Sequence, residues 1–183
     1  MKQLIFIVSC IMLLAGCTIS STNGLPEDIK EEMEEHVGFN VSLPEDTDYE
    51  VSYVDIQFPP EVNGKANGSR HVADIAFSEN IGKKKDLPST SNEDQKVLYG
   101  PYEGDSVITL TISNMPNQMS DAKEKKIKHV TVEYAEANKN GSDFLFISFN
   151  TDKGSFFTTF HLSEELTEED AWSFIQKLVD QNT

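Results

Sequence analysis

The chain has 183 residues, 38% of them hydrophobic, and carries 31 acidic against 15 basic side chains for a formal net charge of −16. That length suits one domain with a sizeable core rather than two. A field of this sign repels phosphate backbones, which sets nucleic acid aside as a partner and favours a domain that stays dissolved.

Residues 1–16 have the anatomy of a secretory signal: Lys2, an apolar run from Leu4 to Leu14, then small residues. A spanning helix needs about 20 apolar residues, and Thr18-Ile19-Ser20-Ser21 follows too soon for that. The run closes on Leu14-Ala15-Gly16-Cys17, which resembles the lipobox of bacterial lipoprotein precursors. Leu14 belongs to the apolar segment, Ala15 and Gly16 leave the bond before Cys17 open to approach, and Cys17 offers a thiolate that can be alkylated to a thioether. The resemblance implies a diacylglyceryl group on Cys17, cleavage between Gly16 and Cys17, and an exported protein lipid-anchored to the outer face of the bacterial cell membrane. Two acyl chains hold a protein durably where one binds reversibly. Cys10 follows Ile7-Val8-Ser9, a poor processing site. No thiol then remains for a disulfide, a thiolate metal site or a nucleophile.

Residues 17–25 are small and polar, the composition of a flexible tether. Pro26 at a first helical position, with Glu27 and Asp28 behind it, predicts a helix whose Ile29, Met33 and Val37 share a face and which Gly38 closes. Alternation of Phe39, Val41 and Leu43 predicts a first strand, ended by Pro44-Glu45-Asp46-Thr47-Asp48. Residues 49–58 alternate in two phases, which a bulge near Tyr53 reconciles. Asn63-Gly64 and Asn67-Gly68 mark turns, and Ala73, Ile75 and Phe77 a further strand. Residues 79–96 are mostly polar, a loop that is mobile or functional. Strands follow at residues 97–99 and 106–112, and Met115-Pro116-Asn117 breaks the second. Residues 123–128 read as a short helical turn before a strand carrying Val130, Val132 and Tyr134. Asn140-Gly141 is the strongest hairpin signal, and Thr151-Asp152-Lys153-Gly154 a second turn. The meander so formed holds Phe144, Phe146, Phe149, Phe156, Phe157 and Phe160, where the core is expected. Thr167 as N-cap, with Asp170 three residues on, opens a last helix with Trp172, Ile175, Leu178 and Val179 in a stripe.

Strands in the middle and helices at both ends give an α+β fold: an antiparallel sheet of about six to eight strands with an N-terminal and a C-terminal helix packed on one face. The organisation expected is a signal at 1–16, a tether at 17–25 and one domain over 26–183. Leu43-Pro44 followed by Tyr49, the Gly154-Ser155-Phe156-Phe157 hairpin and the closing Leu166-Thr167-Glu168-Glu169 resemble a domain family of unassigned function found in Gram-positive lipoproteins and membrane-bound regulators. No catalytic residue is carried by that resemblance.

Motifs of catalysis are lacking. Ser120-Asp121-Ala122-Lys123 has Ser-x-x-Lys spacing without the companion elements of penicillin-interacting enzymes, and reads as chance. His36, His71, His129 and His161 are scattered, with no metal-ligand spacing. Residues 150–154 lack the later glutamate of a calcium loop. No cofactor is expected. Lys83, Lys84 and Lys85, with Lys123, Lys125, Lys126 and Lys128, form two basic runs that could serve an anionic wall polymer or a cell-envelope protein, although a solvated surface explains them as well. The functional reading is a non-catalytic, lipid-anchored binding or interaction module. The alternative is a carrier of a small apolar or amphipathic ligand in a pocket between sheet and helices.

Overall fold

The computed structural model describes residues 24–44, 47–62, 65–86 and 94–183. The signal, Gly16, Cys17 and most of the tether lie outside the described residues, as do Glu45-Asp46, Asn63-Gly64 and residues 87–93.

Helix α1 spans Glu27–Val37. Pro26 stands one position earlier than the sequence suggests, as the N-cap, and its carbonyl accepts from the N–H groups of Ile29 and Lys30. Gly38 ends the helix in the left-handed conformation (φ 83°), its N–H donating to the Glu34 carbonyl at 2.8 Å. The strand expected at residues 39–43 does not form. The N–H of Val41 donates to Glu34 Oε1 (2.8 Å) and that of Ser42 to Asn182 Oδ1 (2.9 Å), so side chains of the two helices take the bonds a ladder would have made.

The strands are β1 (Glu50–Gln57), β2 (Glu61–Val62), β3 (Lys65–Ala66), β4 (Val72–Ser78), β5 (Gln95–Tyr99), β6 (Ser106–Ser113), β7 (Lys123–Ile127), β8 (Val130–Lys139), β9 (Ser142–Asn150) and β10 (Ser155–Leu162), before helix α2 (Glu168–Asn182). Eight of them form one antiparallel sheet in the order β5-β1-β4-β6-β10-β9-β8-β7, with β2 and β3 paired apart. The expected bulge is present as a register shift between Val51 and Tyr53. Asn140 and Gly141 both take positive φ (56° and 85°) between β8 and β9, the backbone a two-residue hairpin turn needs.

Because side chains alternate along a strand, the sheet has two unlike faces. The inner face carries Ile75, Phe77, Ile108, Leu110, Ile147, Phe149, Phe156 and Phe160, all at most 1% exposed, and both helices lie over it. Phe174 of α2 meets the rings of Phe77 (5.5 Å) and Phe160 (5.8 Å) edge-on, and Phe149 stacks on Phe156 at 4.8 Å. Removing one such ring from water contributes about 1.5–3 kcal/mol.

The phenylalanine-rich meander is therefore only half core. Phe144, Phe146 and Phe157 fall in the other phase and stand half-buried on the outer face, stacked in a ladder with centroid steps of 6.3 and 6.2 Å.

The helical turn expected at residues 123–128 is also corrected: it is strand β7. Lys123, Lys125 and Ile127 lie opposite Tyr134, Val132 and Val130, so the short run alternates like an edge strand despite its helix-favouring composition. Charged edge strands resist pairing with further chains.

One connection is unusual. β6 and β7 are consecutive in sequence, yet β10, β9 and β8 lie between them. Residues 114–122 make the crossing over the outer face. The Met115 carbonyl accepts from Ser155 Oγ on β10 (2.7 Å), Asn117 exchanges bonds with Asn150 on β9 (2.8 Å each), and the Met119 N–H donates to Glu133 Oε2 on β8 (2.8 Å).

Candidate functional site

The two lysine runs are not brought together. Residues 83–85 pair through Lys84 with Tyr102 beside β1, at one end of the sheet, whereas residues 123–128 lie on and beyond β7 at the other. The second run is largely engaged by its own chain. Lys123 Nζ meets Glu136 Oε1 (3.0 Å), Lys125 Nζ stands 3.9 Å from the centre of the Trp172 ring, and Lys128 Nζ meets Asp180 Oδ1 (2.6 Å). Lys126, Lys83, Lys84 and Lys85 remain exposed. Ser120 precedes a strand rather than lying on a helix with Lys123, so the geometry of a Ser-x-x-Lys nucleophile is absent.

Two of the four histidines converge. The rings of His36 and His71 stack at 6.4 Å, with Phe58 edge-on to both. His161 instead stacks on Phe144 at 4.9 Å. Among the described residues no group of three or more His, Cys, Asp or Glu could hold a metal ion.

The outer face holds the arrangement that the sequence did not announce. Cross-strand register sets Asp55 opposite Asp74, Asp74 opposite Thr111, and Thr111 opposite Phe157, one row across β1, β4, β6 and β10. Asp74 accepts from Gln57 Nε2 (2.6 Å) and from the Thr111 hydroxyl. Asp55 is 1% exposed and accepts from Gln95 through Oδ2, and among the described residues its buried Oδ1 has no hydrogen-bond partner. Burial pushes its carboxyl above the usual carboxylate range, against the opposing pull of the Gln95 amide, and the charge of Asp74 adds to the rise. The neighbouring Tyr53 phenol is pushed up to about 12, by burial first and by the charge of Asp55 next.

Two grooves open over this row and share Arg70 and Thr111. One, of about 400 Å³, lies under the turn between β1 and β4, with Gln57, Phe58, Asn67 and Asp74 in its walls. The other, of about 290 Å³, lies beside the crossing segment, with Ser113, Asn117, Met119 and Phe157. Arg70 is held from below by Ser113, whose Oγ accepts from its Nε at 3.3 Å and from the Met115 N–H at 3.2 Å. Register arithmetic could have found the Asp74–Thr111–Phe157 row only once the strand order was known, and that order is not local information.

The fold and this face define an α+β domain with one covered and one largely open sheet face. Compared with protein families, with curated proteins and with solved structures, the chain matches none. No helix among the described residues is long and apolar enough to cross a membrane.

Proposed function

We propose that the chain is a lipid-anchored cell-envelope protein whose single domain is a non-catalytic binding module, working through the outer face of its sheet. The observation that carries the binding half is that both helices lie on the inner face, while the outer face keeps half-buried aromatic rings and two polar-walled grooves. Concave sites with a few placed polar groups are the usual seats of ligands. The anchoring half rests on Leu14-Ala15-Gly16-Cys17 and the apolar run before it. The carrier alternative finds less support, because the space between sheet and helices is filled by side chains such as Phe77, Phe156, Phe160 and Leu178, each 0–1% exposed.

Two measurements test the proposal. Cys17→Ala should move the protein from the membrane fraction, or leave its signal uncut; unchanged fractionation and processing overturn the anchor. Photocrosslinkers placed singly at Thr159 on the outer face and at Ser173, exposed on α2, should capture material in intact cells from Thr159 alone. Equal capture from both positions, or from Ser173 only, overturns the assignment of the face.

A further inference from the structure

We infer that the groove beside the crossing segment is a carboxylate site, in which Arg70 receives a monoanionic carboxylate while Phe157 and Met119 receive the apolar body attached to it. The inference rests on the binding-module reading and names the ligand class of the same face.

Arg70 is the only arginine in the chain. Acids outnumber bases two to one, yet among the described residues Arg70 meets no carboxylate within ion-pair distance, while Lys30, Lys96, Lys123 and Lys128 each do. Among the described residues its anchoring bond is at Nε, to the hydroxyl of Ser113, which is 1% exposed and is itself fixed by the Met115 N–H. Anchoring at Nε leaves the terminal nitrogens of the guanidinium free, and these make the paired bonds that match the two oxygens of a carboxylate.

The groove wall supplies the rest. Among the described residues that line it, Arg70 is the only charged one; Thr111, Ser113 and Asn117 are neutral and polar, and Phe157 and Met119 are apolar. Phe157 spends one ring face on Phe146, and the ladder continues to Phe144 with nearly parallel planes (19° and 14°). Phe157 is the end ring of that ladder, so the stack leaves its face away from Phe146 uncovered. A ring surface beside a guanidinium suits the apolar body of an amphipathic acid.

Charge count selects among anions. Asp74 lines the adjoining groove, and the chain as a whole is at −16. A dianion such as phosphate, or a polyanionic wall polymer, meets that repulsion more than once with a single arginine to offset it. A carboxylate meets it once.

The experiment uses the full chain in detergent, labelled with ¹⁵N. Because Arg70 is the sole arginine, its Nε–Hε signal is unique and assigns itself. Three probes are titrated: N-acetyl-phenylalanyl-alanine with a free carboxylate, its carboxamide, and 3-phenylpropionate. The expected result is a saturable shift of the Arg70 signal, and of the Thr111 and Phe157 amides, with the acids, at least about tenfold weaker with the carboxamide. The stronger of the two acids tells whether a peptide terminus or a small organic acid is the better source. Arg70→Gln should abolish the preference for acid over amide and Arg70→Lys should keep part of it, with unchanged far-ultraviolet dichroism showing that both fold. Binding of acid and carboxamide alike would overturn the carboxylate site while leaving a binding face. An Arg70 signal that no acid moves also overturns it, and the photocrosslinking from Thr159 then decides the binding module separately. Inorganic phosphate shifting the signal more strongly than either acid would overturn the choice of anion.

Discussion

The side-chain amide of Asn182, in the last turn of α2, holds both backbone groups of Ser42: its Oδ1 accepts from the Ser42 N–H at 2.9 Å and its Nδ2 donates to the Ser42 carbonyl at 2.8 Å. An amide side chain thus does for this segment what a neighbouring strand would do, across 140 positions of sequence. It joins the chain on leaving α1 to the end of α2.

Asn182→Ala should therefore cost about 1–3 kcal/mol, because it strands a part-buried donor and acceptor together. Asn182→Asp should fare no better, since a carboxylate cannot donate to the Ser42 carbonyl. Denaturant midpoints of the two variants check this; a loss for alanine with full retention by aspartate would contradict the paired-bond account.

Lys125 and Trp172 give a spectroscopic prediction. The ammonium stands 3.9 Å from the ring centre, Tyr134 packs edge-on at 5.2 Å, and Trp172 is the only tryptophan. Lys125→Met should change the tryptophan emission and lower stability by about 0.5–1 kcal/mol, as for exposed cation–π pairs. Lys126→Met, one residue on and facing the other way in the strand, should change neither.

Thr158 is 0% exposed on the inner face, opposite Leu110 and Ile147, and among the described residues its hydroxyl has no partner. A buried unpaired hydroxyl costs roughly 1–3 kcal/mol, so Thr158→Val should raise the unfolding free energy by an amount of that order. A fall in thermal and chemical stability would show that the hydroxyl is in fact served.

Asp55 predicts a pH dependence. A carboxyl raised above its unfolded value binds its proton more tightly in the folded protein. Its stabilising contribution is full below the ordinary carboxylate range and is lost as pH climbs through the raised value. Asp55→Asn stays neutral throughout, so its stability relative to wild type should increase as pH rises from about 4 to 8. Asp170 and Asp180, held below the usual range by bonds from Thr167 and Lys128, tilt the wild-type curve the opposite way. The difference between the two curves carries the signature, and a flat difference would count against it.

Much of the fold was legible because local rules and tertiary packing agree. The Thr167–Asp170 capping box forms reciprocally, the Asn140-Gly141 turn has its positive dihedrals, and the bulge beside Tyr53 sits where two phases of alternation collided. The misreadings share a cause. Residues 39–43 alternate like a strand, but Glu34 and Asn182 claim their amides first. Residues 123–127 are rich in helix formers, but β8 offers a ladder. The period-two rule should have divided the meander's phenylalanines between two faces, and a count of rings alone did not. The Arg70 groove was out of reach, because it needs β4, β6 and β10 side by side and the crossing segment above them.

That crossing segment also bears on the order in which the protein assembles. β7 to β10 are joined by short turns and can zip from the Asn140-Gly141 hairpin outward, whereas the pairing of β10 with β6 closes a long loop and is entropically slow. Residues 114–122 reach their full set of bonds on β10, β9 and β8 only once those three strands lie side by side, so the segment is fastened after the meander, like a belt over a finished garment.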